Sequence, residues 1–164
     1  MTGANRPGAG TGLAEQMAFL VGSLHGPERM HATRWAPAGE ATSRVRGELD
    51  VDGLVLVQHQ VQERIDAAEF RAVNVFMAGP TGRVLLYSFD SAGQPPEPAA
   101  VGSWRGNDLV FERSTPRGSA RTTYTPTADG YAWSKQFRPP GGLDWQPMVE
   151  GKLTRDATRE PEPS

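Results

Sequence analysis

The chain contains no cysteine, so no disulfide framework, thiolate nucleophile or thiolate metal site is available to it. Histidine is nearly as scarce: His25, His31 and His59 are scattered, without the spacing of a metal-ligand set. Lysine occurs only at Lys135 and Lys152. The net charge is -2 and neither half carries a basic block, which leaves a nucleic-acid groove without electrostatic support. No run approaches the ~20 apolar residues of a membrane span, and Thr2 to Gly12 lacks the apolar centre of a signal peptide. Also missing are a Gly-x-Ser-x-Gly elbow, a phosphate loop, a dinucleotide fingerprint and a His-Glu-x-x-His pair. These absences point to a cytoplasmic protein without a cofactor, whose partner is a small molecule rather than nucleic acid or a membrane. They leave homodimerisation open.

What the chain has in quantity is strand character broken by turns. Leu54 to Ile65 and Glu69 to Ala78 are two long β-branched segments without proline, joined by a short polar turn. At about 3.3 Å per residue the first is long for a strand, and a twisted antiparallel pair of that length is easiest to bury in a sheet that closes on itself. Around this pair lie Arg29 to Trp35, Ala41 to Leu49, Arg83 to Phe89, Val101 to Arg105, Leu109 to Ser114, Ala120 to Thr125, Tyr131 to Phe137 and Trp145 to Thr154. Gly, Pro, Asn and Asp punctuate the gaps.

About ten strands with short connections predict an all-β, up-and-down antiparallel barrel, with a sandwich as the second choice. One helix is expected first, because Leu13, Met17, Leu20 and Leu24 share a helical face, with Thr11 as its cap and Gly22 as its stop. Residues 1–12 offer almost nothing to bury and are expected to be disordered. The barrel domain is expected over 13–155, and 156–164 reads as a charged, proline-containing tail.

Several short motifs carry a family resemblance. They are Gly22-Ser23-Leu24-His25-Gly26, Phe89-Asp90-Ser91, Gly102 to Leu109, Arg121-Thr122-Thr123-Tyr124 and Gly151-Lys152-Leu153-Thr154-Arg155, in that order. Together they resemble the DUF1579 proteins, grouped with the lipocalin-like calycin barrels. The resemblance implies an up-and-down barrel around an internal cavity and implies no activity. A related calycin group, the nitrobindins, is similar in its Gly-x-Trp-x-Gly-x-Gly start and binds haem through a histidine near the C-terminus. Here Gly22 and Gly26 match, Leu24 replaces the tryptophan, Glu28 replaces the last glycine, and no histidine follows His59. Haem binding through His31 or His59 is accordingly the lowest-ranked reading.

Alternate residues of a barrel strand point inward, so a polar residue sharing parity with large apolar neighbours is a candidate for the cavity wall. His59 has Val55, Val57 and Val61 on its face; Gln58, Gln60 and Gln62 form the alternative lining, and a one-residue register change exchanges the two. Lys135 stands between Trp133 and Phe137. Pointing inward, it becomes a base, a Schiff-base amine or a carboxylate anchor; at the rim it snorkels to water or pairs with an acid. Glu112 is the candidate partner or general acid, with a surface position as the alternative.

Arg121 offers a planar fork for an anion or a structural salt bridge, and differs in parity from Tyr124. Asn74 and Tyr87 each bring one directional hydrogen bond to an apolar pocket. His31 and Trp35 share parity on the first strand, and the four tryptophans read mainly as core. The expected ligand contacts are thus His31, Trp35, His59, Asn74, Phe76, Tyr87, Arg121, Tyr124, Trp133 and Lys135. His59, Lys135 and Glu112 are the acid-base candidates.

Two functions follow from this pattern. The first is binding of an apolar or amphipathic small molecule in the barrel. The second is a cyclase, isomerase or hydratase that shapes a flexible substrate in the same cavity and moves a proton with one side chain. Fold alone does not separate them.

Overall fold

The protein is described by a computed structural model covering residues 12–65, 67–95 and 97–157. The segment at 1–12 expected to be disordered lies, apart from Gly12, outside the described residues. So do the Thr11 cap and the expected tail beyond residue 157.

Ten strands make up the fold: β1 (Gly22–Met30), β2 (Gly39–Asp50), β3 (Val55–Arg64), β4 (Phe70–Ala78), β5 (Val84–Asp90), β6 (Ala100–Arg105), β7 (Asp108–Thr115), β8 (Gly118–Pro126), β9 (Gly130–Arg138) and β10 (Gln146–Arg155). Each pairs antiparallel with the next, and β10 closes on β1 to complete the barrel. The alternation is plain in β2, where Ala41, Ser43 and Val45 are buried between exposed Glu40, Thr42, Arg44 and Arg46. This is the all-β up-and-down barrel that the strand spacing predicts.

The N-terminal region departs from expectation. Leu13, Met17 and Leu20 are buried, but through a four-residue helix α1 (Leu13–Gln16) and a 3₁₀ turn (Ala18–Leu20), while Leu24 already belongs to β1. The expected strand at Arg29 to Trp35 therefore starts at Gly22 and ends at Met30. Pro27, which pattern reading keeps out of strand interiors, is accommodated because the ladder from β1 to β10 passes from His25 to Glu28 without pairing Gly26 or Pro27.

The two ends of the barrel differ. Leu13, Met17 and Leu20 join Leu24, Leu56, Phe76, Val84, Leu109 and Phe111 in one apolar cluster that fills the end bearing α1. Gly47 on β2 makes room for this plug: a Cβ there would stand 2.0 Å from the Leu20 carbonyl oxygen. At the opposite end lie the β1–β2, β3–β4, β5–β6, β7–β8 and β9–β10 connections, and there the interior is open.

Candidate functional site

The open half of the barrel holds a cavity of about 1020 Å³. Its floor is the top of the apolar cluster, since Val45, Leu86, Tyr124, Tyr131 and Leu153 belong to both. One wall is amide-rich: Gln58, Gln60 and Gln62 of β3 with Asn74 of β4. On the far side of the ring, β8 and β9 contribute Tyr124, Trp133 and Phe137. Rim residues come from the loop after β1, which contributes His31 and Arg34 to Ala36, and from Glu97, Arg117 and Pro140.

The polar wall is a bonded network. Asn74 Nδ2 donates to Gln58 Oε1 at 2.9 Å, and Gln58 Nε2 donates across the interior to the Tyr131 hydroxyl at 3.2 Å. Gln60 Nε2 donates to Ser43 Oγ at 3.0 Å. Gln62 Nε2 donates to Glu28 Oε1 at 2.8 Å and accepts at Oε1 from Arg64 Nε at 2.6 Å. Trp133 Nε1 donates to the other Glu28 oxygen at 2.6 Å. Such satisfaction is what burying so many amides requires. Desolvation raises the pKa of Glu28, against the hydrogen bonds from Gln62, Ser43 and Trp133 and the charge of Arg64. Burial, then the charge of Glu28, pushes the Tyr124 phenol far above its ordinary value, so it stays neutral.

Lys135 is the one cationic side chain set among the aromatic residues of β9. It shares the inward face with Trp133 and Phe137 and lies level with Val149 on β10 and Thr122 on β8, all of which line the cavity. No hydrogen bond or ion pair holds its ammonium among the described residues. Burial, then the positive charge of Arg113, lowers its pKa, while Asp90 and Glu97 act in the opposite sense. Of these charges, Glu97 pairs with Arg113 at 2.8 Å and with Arg117, whereas the Asp90 carboxylate accepts only the Ala92 backbone N–H, at 2.9 Å, among the described residues.

The structure gathers His31, Trp35, Asn74, Tyr124, Trp133 and Lys135 around one cavity. His31 and Trp35 do so from the loop after β1 rather than from a strand. The Nε2 of His31 is buried without a hydrogen bond, because Glu150 Oε1 at 3.6 Å is too distant for one. Trp35 sits at the mouth, 57% exposed, edge-on to Phe137 at 4.9 Å. Phe76 is fully buried beneath the cavity against Phe111 and Tyr124.

Four expected positions are corrected. His59 is exposed, because β3 turns Leu56, Gln58, Gln60 and Gln62 inward and the valine-bearing face outward. Tyr87 faces out, since Leu86 and Ser88 take the inward places on β5. Arg121 also lies outside, stacked 4.1 Å from the Trp145 ring centroid and donating to Glu112 Oε1 at 3.1 Å. Glu112 accepts a second bond from Arg105 at 3.0 Å and faces away from Lys135. Burial alone would raise its pKa, but the two arginines outweigh that and hold the carboxyl below its ordinary value, unsuited to a general acid. Of the tryptophans, Trp104 and Trp133 pack against the core, whereas Trp35 and Trp145 do not.

Glu28 and Ser43 are functional-site neighbours that pattern reading missed. Both sit at buried inward positions, and the only sequence signal was their parity with Leu24 and Val45. A second depression of about 700 Å³ runs over the outer face of β1, β2, β8, β9 and β10 and includes Arg29, Thr42, Thr125, Ser134 and Lys152. It reaches Glu28 and Trp133 from outside but none of the amides of β3 and β4. No group of three or more His, Asp or Glu residues is placed to hold a metal ion among the described residues. Nor is any described helix long and apolar enough to cross a membrane.

No protein-family model and no curated protein matches the chain. Among solved structures the chain is similar to Rv2717c from M. tuberculosis, with a TM-score of 0.68 and 18% identity over 88% of this chain and 97% of that one. It is also similar to the S-type phycobiliprotein lyase CPES from Guillardia theta, with a TM-score of 0.65 and 11% identity over 90% and 94% of the two chains. At these identities the likeness concerns the fold, a lipocalin-like barrel; membership of the DUF1579 proteins does not follow from it.

Proposed function

We propose that the protein binds an amphipathic small molecule inside the barrel. The observation that carries this reading is the interior cavity of about 1020 Å³, closed by α1 at one end and open at the other. Such a volume with apolar walls and a few fixed polar groups has the character of a ligand site. Aromatic residues of β8 and β9 suit an apolar body, and the amides of β3 and β4 suit directional polar groups. Haem is not part of the proposal: His59 lies outside and His31 alone faces the cavity.

The test is binding of the environment-sensitive dye Nile red, with Ala72→Trp as the control. Ala72 lines the cavity, so the indole would occupy the ligand's space. Saturable binding that Ala72→Trp abolishes supports an interior site. Binding that survives the substitution places the dye elsewhere and contradicts the proposal.

A second reading has one specific observation in its favour. Burial and Arg113 make Lys135 a weaker base than an ordinary lysine, nearer the range useful for proton transfer. An isomerase or lyase-type reaction would then proceed at Lys135, and one structural neighbour is a phycobiliprotein lyase. Turnover that Lys135→Met removes would distinguish this enzyme from a carrier.

A further inference from the structure

We propose that Lys135 is the anchor for a carboxylate, so that the ligand is an amphipathic acid whose apolar part lies against the aromatic wall. This rests on the reading of the cavity as a small-molecule site. Three observations carry it. Lys135 faces the cavity between Trp133 and Phe137, with no hydrogen bond or ion pair among the described residues. The ammonium is partly withdrawn from water, and Asp90 and Glu97 act on it only at a distance, so an anion in the cavity would supply the direct counter-charge it lacks.

The second observation is the charge balance of the lining. Arg34, Arg64, Arg117 and Lys135 line the cavity against Asp90 and Glu97, with Glu28 behind Gln62 and Trp133 as a third carboxylate, in a chain whose net charge is -2. The cavity is therefore positive inside a protein that is slightly negative. Electrostatic focusing in such a cleft favours entry of an anion.

Third, the arginines have other engagements. Arg64 Nε donates to Gln62 Oε1 at 2.6 Å, and its guanidinium lies 5.1 Å from the centroid of the Phe70 ring. Arg34 stacks on Trp35 at 4.7 Å, and Arg117 pairs with Glu97. Among the cationic residues of the lining, Lys135 alone has no hydrogen bond, ion pair or stacked ring among the described residues: Arg34 is held by its ring contact at the mouth, and Arg64 and Arg117 by hydrogen bonds. Its position at the level of Thr122 and Val149 sets the head group on the β8–β9–β10 side. A carboxylate there gains charge-assisted hydrogen bonds in a site shielded from bulk water.

The experiment compares two probes on the full chain: the fluorescent acid dansylaminoundecanoate and its methyl ester. The wild type should bind the acid about tenfold or more tightly than the ester. Lys135→Met, which keeps the length of the side chain, should remove that preference by weakening the acid while leaving the ester within about twofold. Lys135→Arg should retain it. If the wild type binds acid and ester equally, or Lys135→Met leaves the preference intact, the anchor is overturned although the cavity still binds. If neither probe binds, the reading of the cavity as a small-molecule site fails and the anchor with it. Thermal melts of each variant establish that the compared proteins are folded.

Discussion

Trp133 on β9 donates its indole N–H to Glu28 on β1 at 2.6 Å, across the strand that lies between them. The contact exists because β10 carries Gly151 in register with both. A Cβ on Gly151 would stand 2.8 Å from Glu28 Cγ and 2.9 Å from Trp133 Nε1. The bond fixes the indole that forms part of the aromatic wall and ties it, through Gln62, to the amide wall opposite.

Glu28→Ala should therefore destabilise the fold. It leaves the buried Gln62 Nε2 without its acceptor, at a cost of about 1–3 kcal/mol, and the half-buried Trp133 Nε1 without its own at a smaller one. Chemical denaturation measures the loss. Its pH dependence follows from the raised pKa of Glu28: the neutral form's advantage is complete below 4.5 and is lost as pH rises through the higher folded value. The gap between wild type and Glu28→Ala should accordingly be widest at acid pH. Equal stability of the two proteins would contradict the network.

Lys135→Met should stabilise the ligand-free protein, because it replaces a cation whose desolvation outweighs the attraction of Asp90 and Glu97 with an apolar chain of similar length. A gain of about 1 kcal/mol corresponds to ~2–4 °C in Tm for a chain of this size. The folded-state pKa of Lys135 is depressed below 10.5, so its destabilising effect is complete below that folded value and is relieved as pH rises towards 10.5. The advantage of the variant should shrink over that interval. Arg113, Asp90 and Glu97 are the charged groups that set its size. A variant less stable than wild type at neutral pH would show that Lys135 is paired.

His59→Ala should change neither stability, beyond about 0.5 kcal/mol, nor ligand affinity, since the ring lies on the outer wall. Denaturation and dye binding of the variant check both. A loss of binding would mean that β3 presents its other face to the cavity.

The barrel was legible because its information is local. Turn residues recur between strands, and short connections leave sequential antiparallel pairing as the simplest solution. Lys135 was singled out by its place between Trp133 and Phe137, although the sequence left an inward and a rim position open. The inward face of β3 was not legible. Valines on one parity and glutamines on the other give opposite answers in a barrel with a polar interior, and only the register across β2 and β4 decides. The short N-terminal helix was legible, but Leu24 was misplaced on its face: Leu24 fits both a helical period and the inward parity of β1, and tertiary packing chose the strand. Glu28 was hidden because an isolated acid beside a proline reads as surface, and its three donors come from Ser43, Gln62 and Trp133, far away in the chain.

Native mass spectrometry of the freshly purified chain, set beside its denatured mass, tests the central claim most directly. The expected result is a complex carrying one small molecule, acquired during expression or after incubation with amphipathic acids, that is lost on denaturation and absent from Ala72→Trp. A protein that shows only its own mass under both conditions would contradict the claim that the barrel is a small-molecule site.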